Sequence, residues 1–283
     1  MIAILGGLGA AVGWALSTLC SSRSSRQIDP TSVVAWVMLV GLVIAAPLAA
    51  LDGVPSGLDS SAGAWLAASG AGNVGGLVLA YRALRVGQVA LVAPVVSAEG
   101  AVAALIAVAA GEALAGTSAA ALALIAAGIA MAAAPSTPRL APARGRRWEA
   151  VPLALAAAVA FGASLYATAR AGSQLPAAWV VLSARLIGAA FVAVPLALFG
   201  RLRLSRQALP LVIASGICEV VAFYSYIAGA RHGIAVAAVL ASQFAALAAV
   251  AAYVVFHERL GRVQLVGVAT VVLGVAVLSA LRA

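Results

Sequence analysis

Apolar runs about as long as a bilayer is thick, each closed by arginine, aspartate, glycine or proline, follow one another along the whole chain. Crossing a core of about 30 Å takes roughly 20 helical residues, and the runs read as membrane helices. The first half gives Ile2–Leu19, Thr31–Leu51, Ala62–Ala83, Gln88–Ala110 and Gly116–Ala134. The second gives Ala150–Ala169, Ala177–Phe199, Leu209–Ala230, Ile234–Phe256 and Gly261–Leu281. The opening run has no positive region before it and no clear cleavage site after it, so it reads as a retained helix and not a signal peptide. Pro135–Trp148 carries three prolines and Arg139, Arg144, Arg146 and Arg147, and cannot continue a helix. The chain therefore divides into residues 1–134, a linker at 135–149, and residues 150–283.

The two parts share landmarks at an offset of 146 residues: Arg85/Arg231, Gly87/Gly233, Glu112/Glu258, Leu114/Leu260, Gly128/Gly274 and the polar pair Asn73/Glu219. One unit is written twice. Five helices per unit is an odd number, so the second copy must enter the membrane from the opposite side. The expected fold is an all-α integral membrane protein of ten transmembrane helices, arranged as two inverted five-helix repeats about a pseudo-two-fold axis in the membrane plane.

Composition agrees with that class. Of 283 residues, 65% are hydrophobic and 9% charged, too little polar surface for a water-soluble fold of this size. The net charge of +9 comes from arginine alone and is scattered in short gaps between apolar runs. Nucleic acid would need a contiguous basic face outside the membrane, so it is not an expected partner. Cys20 and Cys218 are too few and too far apart for a metal motif or a disulfide framework, and read as small buried thiols. His232 and His257 fall at segment ends without metal-ligand spacing. No metal or cofactor is expected. The absence of a G-xxxx-GK[ST] sequence argues against direct ATP coupling within this chain.

The run Ala83-Leu84-Arg85-Val86-Gly87-Gln88, then Ala93-Pro94-Val95 and Gly111-Glu112-Ala113-Leu114, resembles the third-to-fourth-helix region of the drug/metabolite transporter (DMT) superfamily, EamA type. His257-Glu258-Arg259-Leu260, Gln264-Leu265-Val266-Gly267 and Leu273-Gly274-Val275 resemble that family's closing motif, and Gly13-Trp14-Ala15 resembles its first-helix tryptophan. The second copy carries His257 where the first has Gly111, and the first copy of the closing motif lacks its glutamine. The resemblance covers most of the chain. It implies a multi-pass protein of the plasma membrane that exports small metabolites, amino acids or amphipathic drugs, with both termini in the cytoplasm.

Arginine placement implies the reverse orientation. Odd-numbered loops hold Arg23, Arg26, Arg82, Arg85, the linker arginines, Arg201, Arg203, Arg206, Arg259 and Arg262, whereas the other face has Arg170, Arg231 and Arg282. By the positive-inside rule the odd loops are cytoplasmic and both termini lie outside. Both orientations stand at this point.

Function is sought where polarity survives the cost of burial. An ionisable group at a helix centre costs about 2.5–3.5 kcal/mol on insertion scales, and so calls for a partner, water or a function. Glu99, Glu219 and Arg185 lie near mid-membrane, with Asn73 and Gln243 at similar depth. The plain alternatives are interhelical hydrogen bonding for the amides and a static, register-fixing ion pair for the charges. Two acids against one arginine leave one acid without a deep cation. The expected site is a central cavity in which Arg185 pairs with one glutamate, Glu219 being favoured, while the other takes up a proton or the cationic group of a substrate. At the 146-residue offset Asn73 faces Glu219, Ala245 faces Glu99 and Leu39 faces Arg185, and these mismatches are the places to look for specificity.

Trp14, Tyr81, Tyr166, Tyr224 and Tyr226 sit where they could line such a cavity, while Trp36, Trp65, Trp148 and Trp179 lie near segment ends as interfacial anchors. Glu112 and Glu258 lie at segment ends beside short turns, as helix-end or gating groups. Gly9/Gly13 and Gly72/Gly76 are small-xxx-small pairs suited to close helix contact, and Pro94 and Pro195 are candidate kinks.

A secondary transporter working by alternating access on an ion or proton gradient is the function this duplication most naturally serves, and the resemblance implies that it exports a small metabolite, amino acid or drug-like compound. A membrane-embedded enzyme acting on a lipid-linked substrate is the second reading. It would call for an acidic metal cluster, a His pair or a Ser/His constellation at the interface, and none is visible. A passive channel is the third. The expected partners are a small-molecule substrate and the lipid bilayer; monomer and homodimer both remain open.

Overall fold

The computed structural model describes residues 1–25, 27–86, 95–113, 115–132, 147–244 and 247, with isolated helical residues between 263 and 277. Its helices are α1 (Ile2–Ser24), α2 (Pro30–Asp52), α3 (Ser60–Val86), α4 (Glu99–Ala109), α5 (Gly116–Ala132), α6 (Arg147–Gln174), α7 (Ala177–Gly188), α8 (Val194–Leu198), α9 (Leu209–Ala230) and α10 (Ile234–Ala241). Among the described residues six stretches are long and apolar enough to cross a membrane: Ile2–Ser21, Pro30–Asp52, Ser60–Ala80, Ala150–Gln174, Ala177–Leu198 and Leu209–Ala230. Glu99–Ala109 and Ala119–Gly128 are shorter apolar helices.

Helix starts and stops follow local chemistry. The Asp29 carboxylate accepts the Thr31 amide at 3.1 Å with Pro30 in the first turn, and Asp59 accepts the Ala62 amide at 2.8 Å. Gly53 (φ 68°) closes α2 and Gly200 (φ 62°) follows α8, both in the left-handed region where a Cβ is costly. These two glycines are 147 residues apart and end the second membrane crossing of each half. The crossing begun by α7 continues through a π-helical turn, Ala189–Ala193, into α8. Pro195 lies just beyond that turn and lacks the amide the preceding turn would bond, which accounts for the wider step there.

The fourth segment of each half is not one continuous helix. Residues 97–98 and 242–243 form turns, where the Ala98 amide donates to Val95 O (3.2 Å) and the Gln243 amide to Leu240 O (3.2 Å) across three-residue steps. The expected segments Gln88–Ala110 and Ile234–Phe256 are each interrupted by such a turn, while residues 88–94, 245–246 and 248–256 lie outside the described residues. Ser97 and Gln243 are themselves 146 residues apart, so both repeats break at one place.

Packing joins the halves to each other. The principal pairs are α1 with α9 and α3 with α6, then α4 with α6 and α1 with α10, α2 with α9 and α3 with α7, and the two pairs α2 with α7 and α4 with α10. Exchanging the halves maps each of these pairs onto another or onto itself. Directions follow from the contacts. Along α1 and α9, Gly6 meets Gly229, Gly13 meets Ala222, and Ser17 meets Ser215, an antiparallel register. In α3 and α6, Ser69 meets Thr168 and Gly76 meets Phe161, also antiparallel. α2 runs parallel to α9 and antiparallel to α7. The first helix of the second half therefore runs opposite to the first helix of the first.

Small residues make these approaches possible. A Cβ on Gly6 would lie 2.5 Å from the Gly229 backbone, one on Gly13 2.8 Å from Ala222 Cβ, and one on Gly72 2.8 Å from Ala160 O. Outward, Leu5, Val12, Val43, Leu105, Leu155, Phe191 and Val221 are exposed, as a lipid-facing surface requires.

Candidate functional site

Two faces frame the site. One holds the α1–α2 loop and the segment before α9, joined where Ser32 Oγ donates to Arg201 O (3.3 Å) and Trp36 Nε1 to Arg203 O (3.0 Å). The other holds the α2–α3 and α6–α7 turns, where Trp179 Nε1 donates to Gly53 O (2.8 Å) and Arg231 to Gly172 O and Leu175 O (2.7 and 3.1 Å). Both tryptophans bond loop carbonyls at helix ends, as interfacial residues do. On the second face the Glu112 carboxylate accepts the first amides of α10, Ile234 at 3.1 Å and Ala235 at 3.3 Å. It thereby satisfies donors a helix start leaves open.

Between these faces, Arg185 is fully buried. Its Nη2 donates to Glu219 Oε2 at 3.3 Å, its Nη1 to the Met38 sulfur at 3.4 Å, and its guanidinium carbon sits 5.0 Å from the centre of the Phe223 ring. Room for its stem exists because position 41 is glycine: a Cβ there would be 2.8 Å from Arg185 Cδ. Its Nε has no hydrogen-bond partner among the described residues.

Glu219 is less enclosed, with 22% of its side chain exposed. It borders a small cavity of about 30 Å³ together with Ser17, Ser21, Val33, Val34, Val37, Met38 and Leu77. Ser17 Oγ donates to Glu219 Oε1 at 3.3 Å, and the Ser215 hydroxyl stands 2.8 Å from that of Ser17 and 2.7 Å from that of Ser21. The cavity thus combines a carboxylate, three hydroxyls nearby and an apolar wall. It lies toward the arginine-rich face, where α1 ends and α2 and α9 begin.

Other expected site residues lie elsewhere. Glu99 is buried as the first residue of α4, beside the 97–98 turn, where a Cβ on Gly100 would collide with Ser242. Asn73 and Gln243 are buried, and Asn73 Nδ2 and Gln243 Nε2 have no partner among the described residues. Trp14 packs against Phe223 (ring centres 5.3 Å apart) and Tyr226 (6.1 Å), one layer behind Arg185. Tyr226 is fully buried and donates to Leu165 O at 2.9 Å, so it braces the helices instead of lining the cavity. Tyr166 meets Trp65 edge to face (ring centres 5.8 Å apart), Trp65 itself lies under Arg170 (5.8 Å), and Tyr224 packs on the central apolar cluster. Glu258 and the side chains of Tyr81 and Trp148 lie outside what is described, as does Pro94.

Several site residues escaped the sequence reading: Met38, Gly41, Phe223 and the serine cluster. The repeat contains their signal, shifted by one. Over the first two helices of each half the structural offset is 147: Ser17 matches Ser164, Ser21 matches Thr168, Gly41 matches Gly188, and Met38 matches Arg185. The counterpart contacts agree. Ser164 Oγ donates to Ser69 O (2.7 Å) and Thr168 Oγ1 lies 2.6 Å from Ser69 Oγ, mirroring Ser17, Ser21 and Ser215, and a Cβ on Gly188 would meet Met38 at 2.6 Å. The partner of Arg185 across the repeat is therefore Met38, which corrects the Leu39 pairing. The offset drops to 146 at the third helix because Gly200 and Ser215 are one residue closer in sequence than their counterparts Gly53 and Ser69.

The sequence profile of the EamA-like transporter family matches residues 1–134 and 148–280, one match per half. Comparison with curated proteins returned no match. A solved structure titled only as the crystal structure of a protein is similar in fold, with a TM-score of 0.82 and 22% identity over 99% of this chain and 96% of that one.

Proposed function

This chain belongs to the EamA-like transporter family, and from that premise we propose that it is a secondary transporter of a small metabolite, amino acid or drug-like compound, working by alternating access on an ion gradient. The fold is read as ten membrane helices in two inverted five-helix repeats, in the plasma membrane. The observation that carries the proposal is the fully buried Arg185, held by Glu219 where the two halves meet, with that carboxylate partly exposed and bordering a cavity. A charge pair at this depth is costly unless it works, and a partly exposed carboxylate at a cavity is placed to meet a solute.

Glu219 receives the cationic group of the substrate, the hydroxyls of Ser17 and Ser21 supply further hydrogen bonds, and Val33, Val34 and Val37 contact its apolar part. Glu99, away from Arg185, is the candidate to exchange a proton with the gradient. Reconstitution into proteoliposomes tests the reading: flux of a panel of radiolabelled amino acids and amines is measured with and without an imposed pH gradient, beside Glu219→Gln. Gradient-driven flux that Glu219→Gln abolishes is expected. Flux of none of the panel, or flux indifferent to the gradient, would point to the channel or enzyme readings.

A further inference from the structure

The Glu219 cavity has a counterpart in the other half, and it is shut. Carried through the repeat, Ser17 and Ser21 become Ser164 and Thr168, Met38 becomes Arg185, Leu77 becomes Phe223 and Glu219 becomes Asn73. All six are buried. The hydroxyls converge on Ser69, one helical turn from Asn73, as those of the open cavity converge on Ser215, one turn from Glu219. Where the open cavity is walled by thioether and isobutyl groups, the counterpart contains a guanidinium stacked on an aromatic ring. Those larger groups occupy the space. Asn73, 7% exposed, is left with an Nδ2 that finds no partner among the described residues. A buried amide donor without an acceptor costs about 1–3 kcal/mol, and such a cost is retained where the donor has another use.

The chemistry of the two places is opposite. The open cavity presents an acid. Its counterpart offers the amide hydrogens of Asn73, two hydroxyls and the Arg185 guanidinium, with no acidic group among the residues that correspond. We propose that Asn73, Ser164, Thr168 and Arg185 form a second half-site that takes a small oxyanion, of carboxylate kind, and that opens to the face opposite the Glu219 cavity. This rests on the transporter reading and extends it to the substrate: a molecule with a cationic end for Glu219 and an anionic end for Arg185. Arg185 is the shared element. When a cation or proton occupies Glu219, the guanidinium loses its counter-charge and is free to hold the oxyanion beside Asn73. The Nε hydrogen that lacks a partner in the present conformation then gains one.

Charged thiol reagents test this in the full-length protein, in intact cells and inside-out vesicles, after Cys20 and Cys218 are replaced by serine. Thr168→Cys is compared with Ser21→Cys, using anionic sulfonatoethyl and cationic trimethylammonioethyl methanethiosulfonate. Thr168→Cys should react from the face opposite to Ser21→Cys. It should react about tenfold faster with the anionic reagent, as a nearby unit charge at intermediate dielectric allows. Arg185→Gln should abolish that preference and Arg185→Lys should keep it. Ser164→Cys serves where Thr168→Cys does not fold, and reaction at Ser21→Cys in each background shows that the protein is intact. Reaction from the same face as Ser21→Cys, no reaction at either position in an intact protein, or no charge preference would each overturn the half-site. The readout is independent of flux: a protein that labels as expected yet moves nothing in proteoliposomes would overturn the transporter reading and leave the half-site standing.

Discussion

Arg185 and Met38 hold equivalent positions in the two halves and touch each other, guanidinium to sulfur, at 3.4 Å. Each lies over the glycine of the opposite half, Arg185 over Gly41 and Met38 over Gly188. The site is thus a symmetric contact made asymmetric by one residue. Changing the equivalent of a methionine to arginine put a charge on the junction between the repeats, and Glu219, where the first half has Asn73, supplies its counter-charge.

That asymmetry predicts unequal costs for breaking the ion pair. Glu219→Leu leaves a fully buried guanidinium without its carboxylate, and should cost about 3–5 kcal/mol. Arg185→Met restores the residue of the other half and leaves Glu219 facing a cavity that water can enter. Its cost should be smaller, and the double variant should recover most of the loss of Glu219→Leu. Unfolding midpoints in detergent for the three proteins check this. Equal loss in both single variants would show that the pair is insulated from the cavity.

The glycines beneath the two side chains give a second contrast. Gly41→Ala drives a Cβ to 2.8 Å from Cδ and 2.9 Å from Nε of Arg185, whose head is fixed by Glu219 and Phe223. The stem has nowhere to go, and a loss of about 1–3 kcal/mol is expected. Gly188→Ala meets the Met38 thioether, an unbranched chain that can adopt another rotamer, so it should cost less. Thermal stability of the two variants measured side by side distinguishes them.

How much of this was visible in the sequence depends on which signal each feature leaves. The apolar runs and their duplication were plain, because helix length and a recurring glutamate or glycine survive drift. Arg185 and Glu219 stood out because ionisable groups at membrane depth are rare. Met38 and Phe223 did not, since an apolar residue in an apolar run has no contrast. The serine clusters were hidden twice, as ordinary packing residues and by a one-residue shortening that moves Ser17 off the 146-residue register and onto 147. Interruptions at 97–98 and 242–243 left no trace in hydropathy: alanine, serine and glutamine are all tolerated in helices.

Glu112 provides a test on the opposite face. Its carboxylate spans from the end of α4 to the first amides of α10, tying together the two segments that break in both halves. Glu112→Ala should cost about 0.5–2 kcal/mol, as the loss of a capping acceptor does. Glu112→Gln keeps an acceptor oxygen but not the charge that favours a helix start, and should fall between. Hydrogen exchange at the start of α10 is the measurement: faster exchange confined to that turn is expected, and unchanged exchange would show that water replaces the carboxylate at no cost.

The division of labour between the two acids is the sharpest functional prediction. Glu219 is committed to Arg185 and to the cavity, whereas Glu99 sits buried at the beginning of α4, where that segment breaks and crosses α10. A residue at a break can change its surroundings when the helices on either side move, which is what a proton carrier needs in order to face each side in turn. Glu99→Gln should therefore still move substrate down the substrate's own gradient but no longer respond to an imposed pH difference, and a trapped pH dye should register no accompanying proton movement. Glu219→Gln should lose substrate flux under both driving forces, because it removes the carboxylate proposed to bind the solute. If both variants transport as the unmodified protein does across a series of pH values, neither acid carries the proton and the coupling must be sought at another group.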